Sequence, residues 1–569
     1  MKKIVLPVFL ALASLSAQAQ SCPASSPVVS VGTGTTSTTG FEITTNTTWT
    51  RNNIYLLNGF VYVNSGATLT IEPGTIIKGD LANKGALIIR QGGRINAAGT
   101  ATQPIVFTSN QPAGSRQPGD WGGIIICGRA PINLAGSPTI EGGVIATFGG
   151  NDPNDNSGVL QYVRIEYPGV AFLPNNEING LTMAGVGSGT TIDHVQVTGS
   201  GDDSFEWFGG TVNAKYLVAL AGTDDDFDTD NGYSGRVQFG ISIRDPRRGD
   251  IATGGISNGF ESDNDATGTA NTPQTSAVFS NMSVFMPTTP NAAAPFANAN
   301  GAQIRRNSAQ SIFNSVFSGR PYALEINSQS NGNTQANAQS GLLAFQNNVL
   351  AGYTRRVARA TGGSAAGFSI NSFVGTGNDT ARTVADLGMS AASFAFDGVC
   401  AGSAPCTPAF ELPAASMLNS GAAFSSAKLT GPGNGGPNST FDVVSFRGAF
   451  GPTNWAAGWT NFNPQMTCYN VAGQTLASRP AAESVLALSV APNPTEGSAT
   501  LSFELKQAGV VSVRVLDVTG REVAVVRQEQ RLGAGAQRLE LPATLKAGLY
   551  LASVTADGST RAVRFAVVK

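Results

Sequence analysis

Charge is what this chain has least of. Only 13% of its 569 residues are Asp, Glu, Lys or Arg, about half the usual share of roughly 25%. The two signs nearly cancel, leaving a net charge of −2. With no basic surplus to neutralise phosphates, there is no electrostatic case for nucleic acid or anionic membrane as partners. Histidine is scarcer still, since His194 is the only one. One histidine and five cysteines offer no group with zinc-site spacing, and no Ser-His-Asp motif surrounds His194. Long apolar runs are missing too: no stretch reaches the roughly 20 residues that cross a bilayer, so no transmembrane segment is expected. Capped amphipathic helices are also wanting, which argues against a βαβ fold.

Turn residues and short apolar strands are plentiful. The chain holds 69 glycines and 29 prolines, and 41% of its residues are hydrophobic, enough for a large core. Lys2-Lys3, the short apolar run Ile4 to Leu15 and the small-x-small site Ala17-Gln18-Ala19 predict a signal peptide over residues 1–19, cut after Ala19. Ala19-Gln20-Ser21 makes a poor lipobox for Cys22. Export permits disulfides. Cys127 follows Ile124-Ile125-Ile126 and reads as a buried free thiol, leaving four cysteines with three pairings. Cys400 and Cys406 lie close together and are the first choice. Cys22 with Cys468 would then tie the start of the mature chain to the end of the middle region.

The middle, residues 47–470, consists of short strands broken by Gly and Asn, such as Ala67–Ile71, Gly85–Ile89, Pro104–Phe107 and Trp121–Ile126. Sandwich, barrel and solenoid all allow this, but self-similarity favours the solenoid. Asp203-Ser204-Phe205-Glu206, Asp225-Asp226-Phe227-Asp228 and Asn258-Gly259-Phe260-Glu261 each set an aromatic before a carboxylate, and an apolar strand precedes each. Glu206 and Asp228 stand 22 residues apart, and Glu261 lies 33 further on. A period near 22 is about one turn of a parallel β-helix, whose coils bury an inner column only by stacking. Residues 378–439, rich in Ala, Ser, Gly and Pro, leave the pattern and read as an irregular insertion or a cap on the open end. Residues 20–46 form a lead-in and 471–483 a linker. Trp455 and Trp459 are expected to close the end of the hydrophobic column.

Leu69-Thr70-Ile71-Glu72-Pro73-Gly74-Thr75-Ile76-Ile77-Lys78-Gly79, Gly92-Gly93-Arg94-Ile95-Asn96-Ala97-Ala98-Gly99-Thr100 and Gly119-Asp120-Trp121-Gly122-Gly123-Ile124 resemble secreted β-helix proteins of the pectin-lyase-like type. Closer still, Ile178-Asn179-Gly180-Leu181-Thr182, Asp202 through Gly210 and Phe446-Arg447-Gly448-Ala449-Phe450-Gly451 look like an uncharacterised Bacteroidetes family of surface proteins. Residues 484–569 resemble the type A C-terminal sorting domain of the type IX secretion system. Asn493-Pro494, the strand pair Ala499–Leu505 and Val511–Asp517, the Asp517-to-Arg521 turn, Ala547-Gly548-Leu549-Tyr550 and the ending Val567-Val568-Lys569 carry that resemblance. Together they imply an all-β chain: a right-handed parallel β-helix solenoid followed by a small immunoglobulin-like β-sandwich. They also imply passage through the periplasm to the outer-membrane surface or beyond, with the secretion machinery as a partner of the tail. Deleting residues 484–569 is expected to leave a folded solenoid in the periplasm.

Acidic residues concentrate in one place, Asp224-Asp225-Asp226-Phe227-Asp228-Thr229-Asp230. Strand alternation would put Asp226, Asp228 and Asp230 on one face. Stacking adds Glu206 and Glu261, with Asp202, Asp203 and Asp263 near. At ~5 Å and an effective dielectric near 20, each pair of like charges costs about 3 kcal/mol. Three kinds of relief exist: a bound cation, raised carboxyl pKa values, or arginines such as Arg236, Arg244 and Arg305. Hard oxygen ligands make calcium the candidate cofactor, although Asn231 and Val237 stand where an EF-hand needs Gly and Glu. Catalytic carboxylates are the remaining alternative. Gly201-Asp202-Asp203 resembles a motif of polygalacturonase-type hydrolases, but their Gly-His-Gly and Arg-Ile-Lys have no match here. His194 reads as structural. Trp207 and Phe208 either stack on sugar rings or belong to the core. The leading expectation is a noncatalytic surface protein contacting glycan, matrix or cell; the alternative is a calcium-dependent polysaccharide lyase or glycoside hydrolase.

Overall fold

The computed structural model describes residues 22–568 apart from 36–39, 174–175, 251–254, 287–298, 320, 331, 354–356, 364, 390–399, 401–404, 481–484, 507, 518–521 and 557–558. The expected signal peptide and the turn at 518–521 therefore lie outside the described residues.

Among the described residues, twenty-seven strands pair into one continuous parallel array, a β-helix. Each coil carries three strand segments. The coil running through Thr191–Thr198 and Phe205–Gly210 shows the scheme: 191–193 lies on one wall, 195–198 on a second and 205–210 on a third. The bend between the first two walls is a single left-handed residue. Tyr162, His194, Tyr216, Phe239, Asn281, Asn314 and Asn347 hold this place in successive coils, with φ between 50° and 62°. Asn adopts that conformation readily and His is also enriched in it, whereas Tyr and Phe take it at a greater steric cost.

Alternation along the strands decides what goes inside. In Ala214–Leu220, Leu217 and Ala219 join the inner column, while Val218 and Leu220 face outward. Inside, Phe205 stacks on Phe227 at 5.7 Å and Phe227 on Phe260 at 5.1 Å, in register as the repeat predicts. The C-terminal end of the column is covered by the helix Ile370–Gly375. Its Val374 is buried, and Phe368, Ile370 and Phe373 pack against the inner core.

Of the two expectations for 378–439, an irregular insertion or a cap, the described residues do not form a cap, and Trp455 and Trp459 do not lie at the end of the column. Residues 384–480, where described, form a strap that runs back along the outside of two walls, from the last coils to the first. Side-chain amides of the solenoid hold it by its backbone. Gln196 Nε2 donates to Asn461 O (2.8 Å) and Gln196 Oε1 accepts from Asn461 N (2.7 Å). Gln238 grips Asp442 in the same way at 2.9 and 2.8 Å, and Asn314 grips Ala423 at 3.1 and 2.8 Å. Trp459 is wholly buried and Trp455 partly so, in a second core with Val218, Leu220, Ile241 and Ile243. Near the start, Tyr469 Oη donates to the buried Glu166 (2.7 Å), beside the buried Arg164. Cys22 and Cys468 form a disulfide there, and Cys400 bonds Cys406. Cys127 is free and buried; burial pushes its thiol up to about 12.

The tail has its own core. Val485–Ala491, Ala499–Leu505 and Gly535–Leu541 make a three-stranded antiparallel sheet; Glu522–Leu532, Gly509–Asp517, Gly548–Ala556 and Ser559–Val567 make a four-stranded one. Leu501, Phe503, Val513, Val515, Val554 and Phe565 are buried together.

Candidate functional site

The third wall carries the acids. On its outer face Thr182, Glu206, Asp228, Glu261, Gln303, Glu325 and Arg359 are paired coil by coil into one column. Phe208 and Asp230 are paired two residues further along their strands.

The corner that leads into this wall explains a second set. Asp203 Oδ1 accepts the Asp225 N–H (2.8 Å), Asp225 Oδ1 accepts the Asn258 N–H, and Asn258 Oδ1 accepts the Asn300 N–H (2.9 Å). Each side chain thus serves a backbone donor of the next coil. Strand alternation fails at this corner, so Asp226 does not share the face of Asp228 and Asp230. It is wholly buried, bonded by Ser204 and Ser242 and paired with Arg244 at 2.9 Å.

Two groups of three carboxylates converge, each with ligand oxygens within 4.8 Å of one another: Asp202, Asp203 and Asp224, and Asp203, Glu206 and Asp228. Asp203 and Glu206 are buried, at 7% and 5% exposure. Glu206 accepts a hydrogen bond from Asn179, which also donates to Glu141 (3.0 Å), and Asp228 Oδ1 is buried without a partner. Asp224 lies in the acidic run and Asn179 in the Ile178-to-Thr182 motif, but nothing in the sequence marks either as part of the site, and Glu141 carries no signal at all.

The other predicted members are drawn off by arginines. Arg305 pairs with Glu261 and with Asp263 (2.9 Å), and Arg306 pairs with Asp263 (2.7 Å). Arg236 is turned away, onto strap carbonyls at Gly431 (2.9 Å) and Ser439 (3.0 Å). Asp230 accepts the N–H of Asn231 at 2.6 Å.

Burial and mutual repulsion raise these carboxyls. Burial first, then the charges of Glu141 and Glu177, pushes Asp202 up to about 8. Asp203, Glu206, Asp224, Asp225 and Asp228 lie well above the usual range, through burial first and neighbouring carboxylates second. Burial also raises Glu261, with Arg305 pulling it down. Asp230 is pushed up to about 7 by burial and then by Asp263.

The aromatic candidates fall away as sugar platforms. Trp207 is completely buried inside the column, stacked on Tyr233 at 5.3 Å. Half-buried Phe208 packs against Phe148 at 6.1 Å, under the loop of residues 128–157. His194 stacks between Tyr162 and Tyr216, each 4.3 Å away, beneath the strap and beside Asp193.

Stacked parallel coils with a carboxylate-lined wall, followed by an antiparallel sandwich, define a β-helix protein with an appended module. A family model described as a pectate-lyase-like β-helix domain matches residues 41–393, and the chain belongs to that family. A second, described as a secretion system C-terminal sorting domain, matches residues 489–569 and marks the chain for export to the cell surface or extracellular space. No helix among the described residues is long and apolar enough to cross a membrane. No curated protein matches. Among solved structures, full-length tailspike protein 2 of Escherichia coli O157:H7 bacteriophage CAB120 is similar at 12% identity over 90% of this chain, with a TM-score of 0.21; this chain spans 64% of that protein's length.

Proposed function

We propose that the chain is a noncatalytic surface protein whose β-helix is stabilised by calcium at the acid wall and whose long faces contact glycan, matrix or cell. The observation that carries the calcium part is the convergence of Asp203, Glu206 and Asp228 within 4.8 Å, with Asp228 Oδ1 buried and without a hydrogen-bond partner. Ca–O bonds of roughly 2.3–2.6 Å set oxygens on opposite sides of an ion about 5 Å apart, so these carboxylates fit a calcium ion. Asp202 and Asp224 would complete its oxygen shell. When bound, the ion would add positive charge to what Arg305 brings to Asp228 and Arg244 to Asp224.

Thermal unfolding in calcium and in chelator tests this. A hundredfold excess over Kd stabilises by about 2.7 kcal/mol, so the midpoint rises in calcium, and Asp203→Asn with Asp228→Asn removes the rise. Identical midpoints in calcium and chelator would sink the metal.

One observation favours a second function, that of a lyase or hydrolase. A carboxyl held up to about 8, as in Asp202, is a proton donor at neutral pH. A screen on acidic polysaccharides in calcium separates the two, because release of unsaturated or reducing sugars establishes catalysis.

A further inference from the structure

The strap does not seal the solenoid along its whole length. Where its turn of residues 462–466 passes the corner after the second wall, a cleft of about 270 Å³ remains, with Tyr167, Ala221, Arg248, Phe462, Pro464 and Met466 in its lining. The turn itself is fixed. Phe462 N donates to Cys406 O (2.7 Å), Gln465 O accepts from Gly114 N (2.8 Å), and Pro464 O accepts from the buried Arg116.

Tyr167, Gly199 and Ala221 hold one place at this corner in three successive coils, with φ of 61°, 62° and 56°. Glycine adopts left-handed backbone freely. Tyrosine does so at a steric cost, and strain of that kind gathers at ligand sites. The Tyr167 ring lies on Gly199, where a Cβ would stand 3.1 Å from its Cδ1. The ring is buried, and its hydroxyl has no hydrogen-bond partner among the described residues. Burial first, then the charge of Glu166, raises this phenol well above its ordinary value, while Arg116 and Arg248 pull it back. It therefore stays a neutral donor. Arg248 is half-buried, and its Nε stands 3.6 Å from Asp245 Oδ2. Arg247 already takes both oxygens of Asp245, at 2.8 and 3.0 Å. The terminal nitrogens of Arg248 make no hydrogen bond among the described residues.

We propose that this cleft binds a small apolar carboxylate. Arg248 pairs with the carboxylate, the Tyr167 hydroxyl donates to it, and Ala221, Phe462, Pro464 and Met466 pack on the apolar body. The site is separate from the acid wall and rests on neither calcium nor glycan contact. A guanidinium presents parallel donors that match two carboxylate oxygens. Asp245 keeps Arg247 whatever Arg248 does, so turning Arg248 to a ligand leaves no buried charge unpaired. The volume lies just below the roughly 300–1,000 Å³ of drug-sized ligand pockets, which suits one amino-acid-sized unit and excludes an oligosaccharide. A sugar ring would also bury hydroxyls against Ala, Phe, Pro and Met without partners. The same chemistry is offered by the last residue of a peptide and by a free organic acid.

The test titrates the full mature chain, in chelator, by ligand-observed NMR. The probes are phenylacetate and N-acetyl-leucine, the second a mimic of a peptide's end, each beside its neutral amide, together with galacturonate. One or both apolar carboxylates should bind, at least about tenfold more tightly than the matching amide; the tighter of the two identifies the source. Arg248→Ala should weaken binding about tenfold or more and leave the unfolding midpoint of the free chain in place, and Arg248→Lys should keep part of the affinity. Tyr167→Phe, which keeps the ring, should cost a few-fold. Absence of saturable binding by both carboxylates overturns the proposal. So does an amide or galacturonate that binds as well as they do, or an Arg248→Ala variant that binds like the parent.

Discussion

Two outer surfaces of the same solenoid solve one problem differently. Both stack polar side chains coil upon coil, at roughly 4.8 Å spacing. On the strap side the stacked groups are neutral amides, Gln196, Gln238 and Asn314, and each is satisfied by a passing backbone. On the acid wall they are carboxylates, Glu206 and Asp228 above all, which face one another. A neutral ladder can be closed by the protein's own chain. An anionic ladder must be relieved by arginines, as at Glu261 and Asp263, or else by protons or a cation.

The largest expected effect breaks the covered side. The Cys22–Cys468 bond spans 446 residues and pins the far end of the strap to the start of the solenoid. Chain-entropy arguments place so long a loop at the top of the disulfide range, about 5 kcal/mol. Cys468→Ser should lower the unfolding midpoint by a corresponding amount and expose Trp455 and Trp459 to quenchers before global unfolding. Unchanged quenching up to the midpoint would mean that the amide grips hold the strap without the clasp.

The open side should respond to pH in the direction its raised carboxyls dictate. Their folded-state values exceed the unfolded ones, so the stability they contribute is fully present below about pH 4. It is lost as pH rises through about 7 for Asp230 and about 8 for Asp202. In chelator the solenoid should therefore weaken from pH 4 to 8, by on the order of a few kcal/mol summed over the cluster. Glu206→Gln with Asp228→Asn should flatten that slope, and calcium should flatten it in the parent chain. A melting midpoint that climbs over this range would show that arginine pairing governs the wall instead.

How much of this could be read from sequence follows the same division. The column of Glu206, Asp228 and Glu261 was legible because an aromatic precedes each carboxylate at coil spacing, and Phe205, Phe227 and Phe260 do stack in register. Asp226 was misplaced because period-two alternation holds only within a strand, and Asp226 lies at the corner before one. The strap was illegible for a deeper reason. Its contacts join residues such as Gln238 and Asp442, 204 positions apart, through an irregular backbone with no period to detect. Trp455 and Trp459 therefore read as an end plug, and the short helix that closes the column passed unnoticed.

The smallest effect sharpens the comparison at the bend beneath the strap. Tyr162, His194 and Tyr216 hold left-handed backbone that Asn281, Asn314 and Asn347 take at the same place in later coils. Stacking at 4.3 Å on both faces of His194 offsets that cost, since an aromatic contact is worth roughly 0.5–1.5 kcal/mol. His194→Asn exchanges the stack for relaxed backbone, and His194→Phe keeps the stack and loses the bond to Asp193. The phenylalanine variant should cost less than about 1.5 kcal/mol, as size-conserving swaps do, and the asparagine variant somewhat more. If the asparagine variant unfolds at or above the parent's midpoint, the rings contribute less than the strain they impose. The strap, rather than the aromatic stack, would then hold this bend in its left-handed form.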